Sequence, residues 1–137
     1  MTNQEKIKYL KQYKTNELEI IKLNEEIATI SNMAFKITSS LSDMPKANSS
    51  EDKLQVAVEK LVSLQNNLAD KILENINFRI HIENIIDNLA EKRLRLLMRY
   101  RYIDGLTWEN IAVKLNYDYR WVLRLHGIAL SKLVIKE

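Results

Sequence analysis

Two arginines stand four residues apart on one face of a predicted helix, where their guanidinium groups are available for paired hydrogen bonds. Arg120 and Arg124 follow Asp118, which is placed to cap that helix. Tyr119 and Leu123 lie on the same exposed face. A guanidinium matches the O6 and N7 acceptors of guanine, which is the commonest specific contact in a DNA major groove. The pattern therefore predicts a base-reading surface made of Tyr119, Arg120, Leu123 and Arg124.

A helix-turn-helix is needed to position such a surface, and the preceding residues have the required pattern. Thr107 is a candidate N-cap for a short first helix, whose apolar face contains Ile111, Ala112 and Leu115. The small Ala112 suits the crossing of two helices at about 90–120°, and Asn116 is placed to end the first helix in the left-handed conformation. The second helix has a predicted buried stripe, formed by Val122, Leu125, Ala129 and Leu133.

The positive charge of the chain is concentrated in the same part of the sequence. The whole chain has a formal net charge of +3, to which residues 1–90 contribute −2 and residues 91–137 contribute +5. A protein that binds the DNA backbone must neutralise its phosphates with positive charge. This asymmetry therefore favours double-stranded DNA as a partner. We expect backbone contacts from Arg101, Thr107 and Lys114, near the ends of the first helix and its predecessor. The alternative interpretation is a solvated basic face.

Residues from about Leu94 to Leu133 resemble the fourth, promoter-reading region of bacterial sigma factors. The variant Trp-Glu-Asn-Ile-Ala, followed by Arg-Leu-His-Gly-Ile-Ala-Leu, is more similar to small phage and prophage proteins of the late-transcription-regulator type, the RinA and ArpU-like proteins. The resemblance implies transcription regulation with host RNA polymerase as a partner. Leu123 stands where sigma factors carry a basic base-reading residue, so no target sequence is implied. The positions that carry the resemblance are Gly105, Thr107, Glu109, Ile111, Ala112, Leu115, Asp118, Val122, Leu125, Ala129, Leu130 and Leu133.

Two long helices are predicted before the helix-turn-helix. From about Gln4 to Ile37 and from about Glu51 to Asn88, apolar residues recur every three or four positions, as in a coiled coil. Residues Ser39–Ser50 are a predicted linker, and Ser49-x-x-Asp52 resembles a capping box. The apolar positions of the first helix are Tyr9, Tyr13, Ile20, Leu23, Ile27, Ile30, Ala34 and Ile37, and those of the second are Leu54, Val58, Leu61, Leu64, Leu68, Ile72 and Ile76.

We expect these helices to form an antiparallel hairpin that assembles into a homo-oligomer. The reason is that the two apolar stripes expose more surface than one hairpin buries. The predicted organisation is a helical hairpin for oligomerisation in residues 1–88 and a DNA-binding helix-turn-helix domain in residues 89–137.

Four further residues have two interpretations each. Asn16 interrupts the first heptad pattern, so it either fixes the register or is simply exposed. His126 donates either to a phosphate or to a backbone carbonyl. Gly127, inside a helix, indicates close backbone approach or a bend, or has no role. Trp121 either stacks on nucleic acid or packs in the core.

The composition excludes several classes of function. Cysteine is absent, which excludes disulfides, thiol catalysis and cysteine-ligated zinc. Two glycines, one proline and 46% hydrophobic residues favour a few long helices, hence an all-α fold. The chain has no glycine-rich phosphate loop, nucleophile elbow or metal-type histidine spacing, so we expect no enzyme, cofactor or metal site. No apolar run is long enough for a membrane span, so we expect a soluble intracellular protein. The resemblance to phage proteins implies the cytoplasm of a bacterial host.

The sequence thus yields one principal hypothesis and two alternatives. The principal hypothesis is a sequence-specific double-stranded DNA-binding protein, encoded by a phage and activating late genes. A small-terminase-like subunit that recognises viral DNA for packaging would also combine a helix-turn-helix with a helical oligomerisation region. The third hypothesis is a module that uses the same fold to bind protein and not DNA.

Overall fold

The computed structural model describes residues 1–43 and 48–136, and these residues form five α-helices. The first two helices form a long hairpin, and the three short helices pack together. The predicted all-α fold, a helical hairpin followed by a helix-turn-helix, is therefore confirmed. The helices are α1 (Asn3–Asp43), α2 (Asn48–Asp87), α3 (Lys92–Tyr102), α4 (Trp108–Leu115) and α5 (Tyr119–Lys132).

The predicted linker Ser39–Ser50 is wrong in its extent. Helix α1 continues through Ser39 to Asp43, and α2 already begins at Asn48, so Ser49 lies within α2 and is not its N-cap. Serine and aspartate cost a helix only a few tenths of a kcal/mol each, roughly, and no glycine interrupts this segment. Pro45, the residue with the strongest turn preference here, lies outside the described residues.

The chain divides into two compact units, residues 1–17 with 75–137, and residues 18–74. Helices α1 and α2 each contribute to both units. The predicted domain boundary between residues 88 and 89 is a different division of the chain and stays a prediction.

The first unit has one hydrophobic core built from all five helices. Leu10 of α1 and Ile82 and Ile86 of α2 are completely buried in the same cluster as the side chains of the three short helices. The ammonium group of Lys6 donates a hydrogen bond of 2.7 Å to the Leu130 carbonyl, which joins α1 to α5. The buried residues of α3–α5 in this core are Leu94, Leu97, Met98, Tyr102, Ile111, Ala112, Val122, Leu125, Ala129 and Leu130.

Among the described residues in the helices of this unit, one asparagine is buried. The predicted register residue Asn16 is half-buried, whereas Asn75 of α2 is buried and its Oδ1 atom has no hydrogen-bond partner among residues 1–43 and 48–136. A buried amide oxygen without a partner destabilises the folded state.

The second unit consists of residues 18–74 of the hairpin, and the seam between its two helices is narrower than the sequence pattern predicts. Leu23 and Ala34 of α1 and Leu64 of α2 are buried, and the carboxylate of Glu19 lies 3.6 Å from the ammonium of Lys71. The half-buried positions of this unit's seam are Ile20, Ile27, Ile30 and Ile37 of α1, and Leu54, Leu61 and Leu68 of α2.

Three positions of the predicted α2 stripe are wrong. Val58, Ile72 and Ile76 are 47%, 40% and 50% exposed. These three residues are exposed because they lie next to the side of α2 that faces α1 and not on it. A two-helix hairpin covers only one narrow side of each helix. In the unit formed by residues 18–74, large apolar side chains are thus left in solvent.

Candidate nucleic-acid interface

The first helix of the helix-turn-helix begins and ends as the sequence predicts. The Oγ1 atom of Thr107 accepts a hydrogen bond of 3.2 Å from the Asn110 N–H, so Thr107 is the N-cap of α4. Asn116 ends the helix in the left-handed conformation, with φ 56° and ψ 45°. The N–H groups of Asn116 and Tyr117 donate to the carbonyls of Val113 and Ala112, at 3.2 and 3.0 Å. This is the Schellman arrangement, which satisfies carbonyls at a helix end.

A small residue lies at the helix crossing. Ala112 of α4 is buried, as are Ile111 before it and Val122 and Leu125 of α5. A larger side chain at position 112 would separate the two helices, because protein interiors are close-packed. The predicted buried stripe of α5, Val122, Leu125, Ala129 and Leu133, is confirmed.

The start of α5 carries the predicted base-reading residues at its surface. Asp118 has the extended backbone of an N-cap, although its side chain makes no capping hydrogen bond. Tyr119 and Leu123 are 41% and 39% exposed, and Arg120 and Arg124 are also exposed. Arg120 and Arg124 line a shallow concavity of about 210 Å³ with Asp118 and Trp121. The structure therefore brings the four predicted residues to the first two turns of one helix.

The arginines of the C-terminal helices differ in whether they have partners. On α3, Arg93 donates to Glu91, Arg95 to the Leu89 carbonyl and Arg99 to Asp87, over 2.7–3.0 Å. In the described part of the chain, Arg120 and Arg124 have no hydrogen bond or ion pair with another residue. Their guanidinium groups are therefore available to a ligand.

The three predicted phosphate-binding residues have different surroundings. Lys114 is exposed, with its ammonium 5.8 Å from the centre of the Tyr100 ring. Thr107 is exposed but its oxygen already caps α4. The Arg101 guanidinium lies 4.3 Å from the centre of the Trp108 ring and donates to the Leu106 carbonyl at 3.0 Å. Arg101 thus holds the loop before α4, and Lys114 is the most accessible of the three.

His126 has a partner that neither interpretation of the sequence included. Its Nε2 atom lies 2.7 Å from the Tyr102 hydroxyl, and its ring centre is 4.4 Å from that of Trp108. Burial, together with the charges of Arg101 and Lys11, lowers the pKa of His126 to about 4. Burial also raises the pKa of Tyr102 to about 12. Both side chains are neutral at pH 7, so His126 is a structural residue between three helices.

Two cations of α1, Lys11 and Lys14, adjoin this part of the molecule, and no sequence pattern indicates them. A Cβ atom added at Gly105, which has φ +73°, would lie 2.7 Å from the Lys14 Cε atom. Lys11 is exposed and close enough to His126 to lower its pKa. About ninety residues separate these lysines from Gly105 along the chain. No local spacing could have indicated that they lie near the start of α4.

The ring of Trp121 is half-buried and packs against the hydrophobic core. Its outer side faces the Arg93 guanidinium, whose carbon is 5.8 Å from the ring centre. Most of this side chain therefore belongs to the core, and its exposed edge adjoins Arg120 and Arg124.

Comparison with known proteins places the chain in a family. Residues 39–133 match the model of the family described as "Protein of unknown function (DUF1492)". The chain belongs to the DUF1492 family. The matched region of this DUF1492 protein includes α2 and all three short helices, together with the end of α1. No curated protein and no solved structure matches the chain.

Other chemistry has little support in the described residues of this DUF1492 protein. Across residues 1–43 and 48–136, no three histidine or acidic side chains are grouped so as to hold a metal ion. Within the same ranges, no helix combines the length and the apolar character that crossing a membrane requires. The arrangement of α4 and α5 is suited to binding, with an exposed helix face that carries unpaired guanidinium groups.

Proposed function

We propose that this DUF1492 protein binds double-stranded DNA through the first turns of α5 and regulates transcription. The observation that carries the proposal is the division among its arginines. Those of α3, Arg93, Arg95, Arg99 and Arg101, are all engaged within the protein. Arg120 and Arg124, on the exposed face of the second helix of a helix-turn-helix, have no polar partner among the residues that the structure describes. In such motifs the N-terminal residues of the second helix contact base edges in the major groove.

The roles of the individual residues follow from their positions. Arg120 and Arg124 form bidentate hydrogen bonds with guanine, while Tyr119 and Leu123 add apolar contacts to neighbouring bases. Lys114 contacts the phosphate backbone and fixes the orientation of α5 in the groove. Arg101 and Thr107 support the loop before α4, and from this loop they contact the phosphate backbone of the DNA. No catalytic step is part of the proposal.

The resemblance to the fourth region of sigma factors and to the RinA and ArpU-like proteins supports a more specific role. On that analogy the protein is a phage-encoded activator of late genes that acts in the bacterial cytoplasm, with host RNA polymerase as its protein partner. The similarity in the pattern from Gly105 to Leu133 supports this analogy, and the binding surface itself does not depend on it.

Duplex binding is tested by fluorescence anisotropy with the full chain and mixed-sequence DNA. Neutralisation of about four phosphates would lower the affinity by roughly 100-fold between 50 and 200 mM salt. Binding that is absent, or independent of salt, would contradict the proposal and favour a protein-interaction module.

A matched pair of double variants tests the base-reading face. Arg120→Lys with Arg124→Lys keeps both charges but replaces the planar fork by a flexible ammonium, which donates to guanine without fixed geometry. We expect this variant to bind mixed DNA nearly as well as the wild type and to show a weaker base preference in a randomised-site selection. As a control, Lys36→Ala with Lys60→Ala removes two exposed charges from the hairpin and should change neither property. An unchanged base preference in the arginine variant would exclude this face.

A further inference from the structure

Helix α2 carries a second apolar stripe that its hairpin partner does not cover. The stripe consists of Val58, Val62, Gln65, Ala69 and Ile72, with alternating spacings of four and three residues. All five side chains are exposed, Val62 by 52% and Ile72 by 40%. The positions that face the seam, such as Leu61, Leu64 and Leu68, are buried or half-buried. The apolar surface of α2 therefore continues around the helix beyond the seam, interrupted in the stripe only by the uncharged Gln65.

Helix α1 has a corresponding stripe within the same unit, residues 18–74. Ile21, Ala28 and Phe35 repeat every seven residues, and all three are exposed. Phe35 is 73% exposed. Soluble monomers seldom expose contiguous apolar patches of more than a few hundred Å², and larger ones mark interaction sites. The hairpin therefore lacks a covering partner on this side.

The spacing of the α2 stripe identifies the partner as another helix. Apolar positions that alternate by three and four residues keep one line along an α-helix, and such a line packs against a second helix by knobs-into-holes contacts. None of the five residues that form the stripe is charged. A second copy of the same stripe meets both requirements, and a twofold axis makes each contact occur twice.

The sizes of the side chains favour an antiparallel arrangement. With the axis level with Asn67, Val62 of one copy faces Ile72 of the other, and Gln65 faces Ala69. The long glutamine then fills the space beside the small alanine. In a parallel pair Ala69 would face Ala69 and Gln65 would face Gln65, which leaves one layer underfilled and the next crowded. We propose that two copies of this chain dimerise through an antiparallel contact of their α2 helices along Val62–Ile72, centred on Asn67.

The oligomeric state is tested by light scattering on the purified full chain. The chain has a mass of 16.1 kDa, so we expect about twice that mass for the wild type at micromolar concentration. Val62→Glu with Ile72→Glu should reduce the mass to that of one chain, with unchanged helical content by circular dichroism. The control is Val56→Glu, because Val56 is 65% exposed but lies off the stripe, beside Met33 and Lys60. This variant should stay dimeric. A monomeric wild type, or assembly that survives the double variant, would overturn the proposal.

The register is tested by cross-linking, for which the chain is suited because it contains no cysteine. Gln65→Cys and Ala69→Cys proteins are oxidised separately and as a mixture. We expect the mixture to form covalent dimers faster than either protein alone, because positions 65 and 69 face each other in the antiparallel pair. Preferential linking of Gln65→Cys to itself would show a parallel pair and overturn the arrangement. This readout also stands if the glutamate variants fold poorly.

Discussion

His126 is held in a position where taking up a proton is unfavourable. Its ring lies between Tyr102, Trp108 and the cations Arg101 and Lys11. The sequence offers a phosphate or a backbone carbonyl as the partner of His126, and the structure adds one that the sequence does not indicate, the Tyr102 hydroxyl. This partner lies on α3, outside the local pattern of α5.

The lowered pKa of His126 makes the stability of the fold pH-dependent. In the unfolded chain the histidine has a pKa of about 6.5, and in the folded protein the pKa is about 4. The contribution of neutral His126 to the free energy of unfolding is therefore fully present above pH 6.5 and is lost as the pH falls toward 4. We expect a loss of about 2 kcal/mol over this range, which allows for the partly exposed ring.

Urea unfolding at pH 7 and at pH 4.5 measures this effect. His126→Gln removes the titrating group and serves as the control for the carboxylates that also titrate in this range. The free energy of unfolding should fall less in the variant than in the wild type. Equal decreases in both proteins would show that His126 is not responsible.

Arg124 and Lys114 should differ in the kind of DNA binding that they support. Arg124→Ala removes a bidentate contact with one base, which is worth about 1–3 kcal/mol of discrimination. Lys114→Ala removes a phosphate contact and should weaken binding to all sequences alike. Affinities for a selected site and for single-base variants of it measure both effects. Uniform weakening by Arg124→Ala would show that Arg124 binds the backbone.

At the scale of the helices, the two glycines of the chain have opposite surroundings. Gly105 adopts φ +73° and adjoins Lys14, whereas a Cβ atom added at Gly127 would meet nothing within 4 Å. Of the interpretations of Gly127, close backbone approach is therefore wrong. A glycine inside a helix costs about 0.5–1 kcal/mol relative to alanine because of its backbone entropy.

Gly127→Ala should therefore increase the free energy of unfolding by about 0.5–1 kcal/mol. Gly105→Ala should decrease it, because alanine is strained at a positive φ and its Cβ would displace the Lys14 side chain. Thermal unfolding monitored by circular dichroism compares both variants with the wild type. A lower melting temperature for Gly127→Ala would contradict the open space found beside this residue.

Local signals predicted the helix-turn-helix well because its determinants are close in sequence. Thr107 caps α4 and Asn116 ends it in the left-handed conformation, as predicted, and Ala112 is buried. The side of α2 that packs on α1 was predicted less well. Val58 and Leu61 are equally apolar, and only the path of the partner helix decides that Val58 is exposed. Which cations are free was also beyond prediction, because the partners of Arg99 and Arg101 depend on tertiary contacts.

At the scale of the whole molecule, the first turns of α1 stabilise the C-terminal helices. Leu10 is completely buried in their core, whereas Leu18, eight residues further along α1, is 66% exposed. Leu10→Ala should destabilise the protein by about 2–5 kcal/mol, and Leu18→Ala by less than about 0.5 kcal/mol. These two variants make the same change to the same helix.

Tryptophan fluorescence measures the unfolding of the C-terminal helices directly. The chain has two tryptophans, Trp108 and Trp121, on α4 and α5. Their unfolding midpoint in urea should fall strongly in Leu10→Ala and remain almost unchanged in Leu18→Ala. A midpoint unaffected by Leu10→Ala would show that α3–α5 fold without α1.

The hydrogen bond from Lys6 to the Leu130 carbonyl, and the hydrophobic core that Leu10 shares with α5, have a consequence for synthesis on the ribosome. Between the addition of Leu10 and that of Leu130, the ribosome adds 120 residues. At about 5–20 residues per second this takes roughly 6–24 s. During that time the apolar side of the first turns of α1 lacks the helix that completes its burial. The core that contains Leu10 therefore stays incomplete until the last helix emerges, and premature termination within α5 leaves it incomplete.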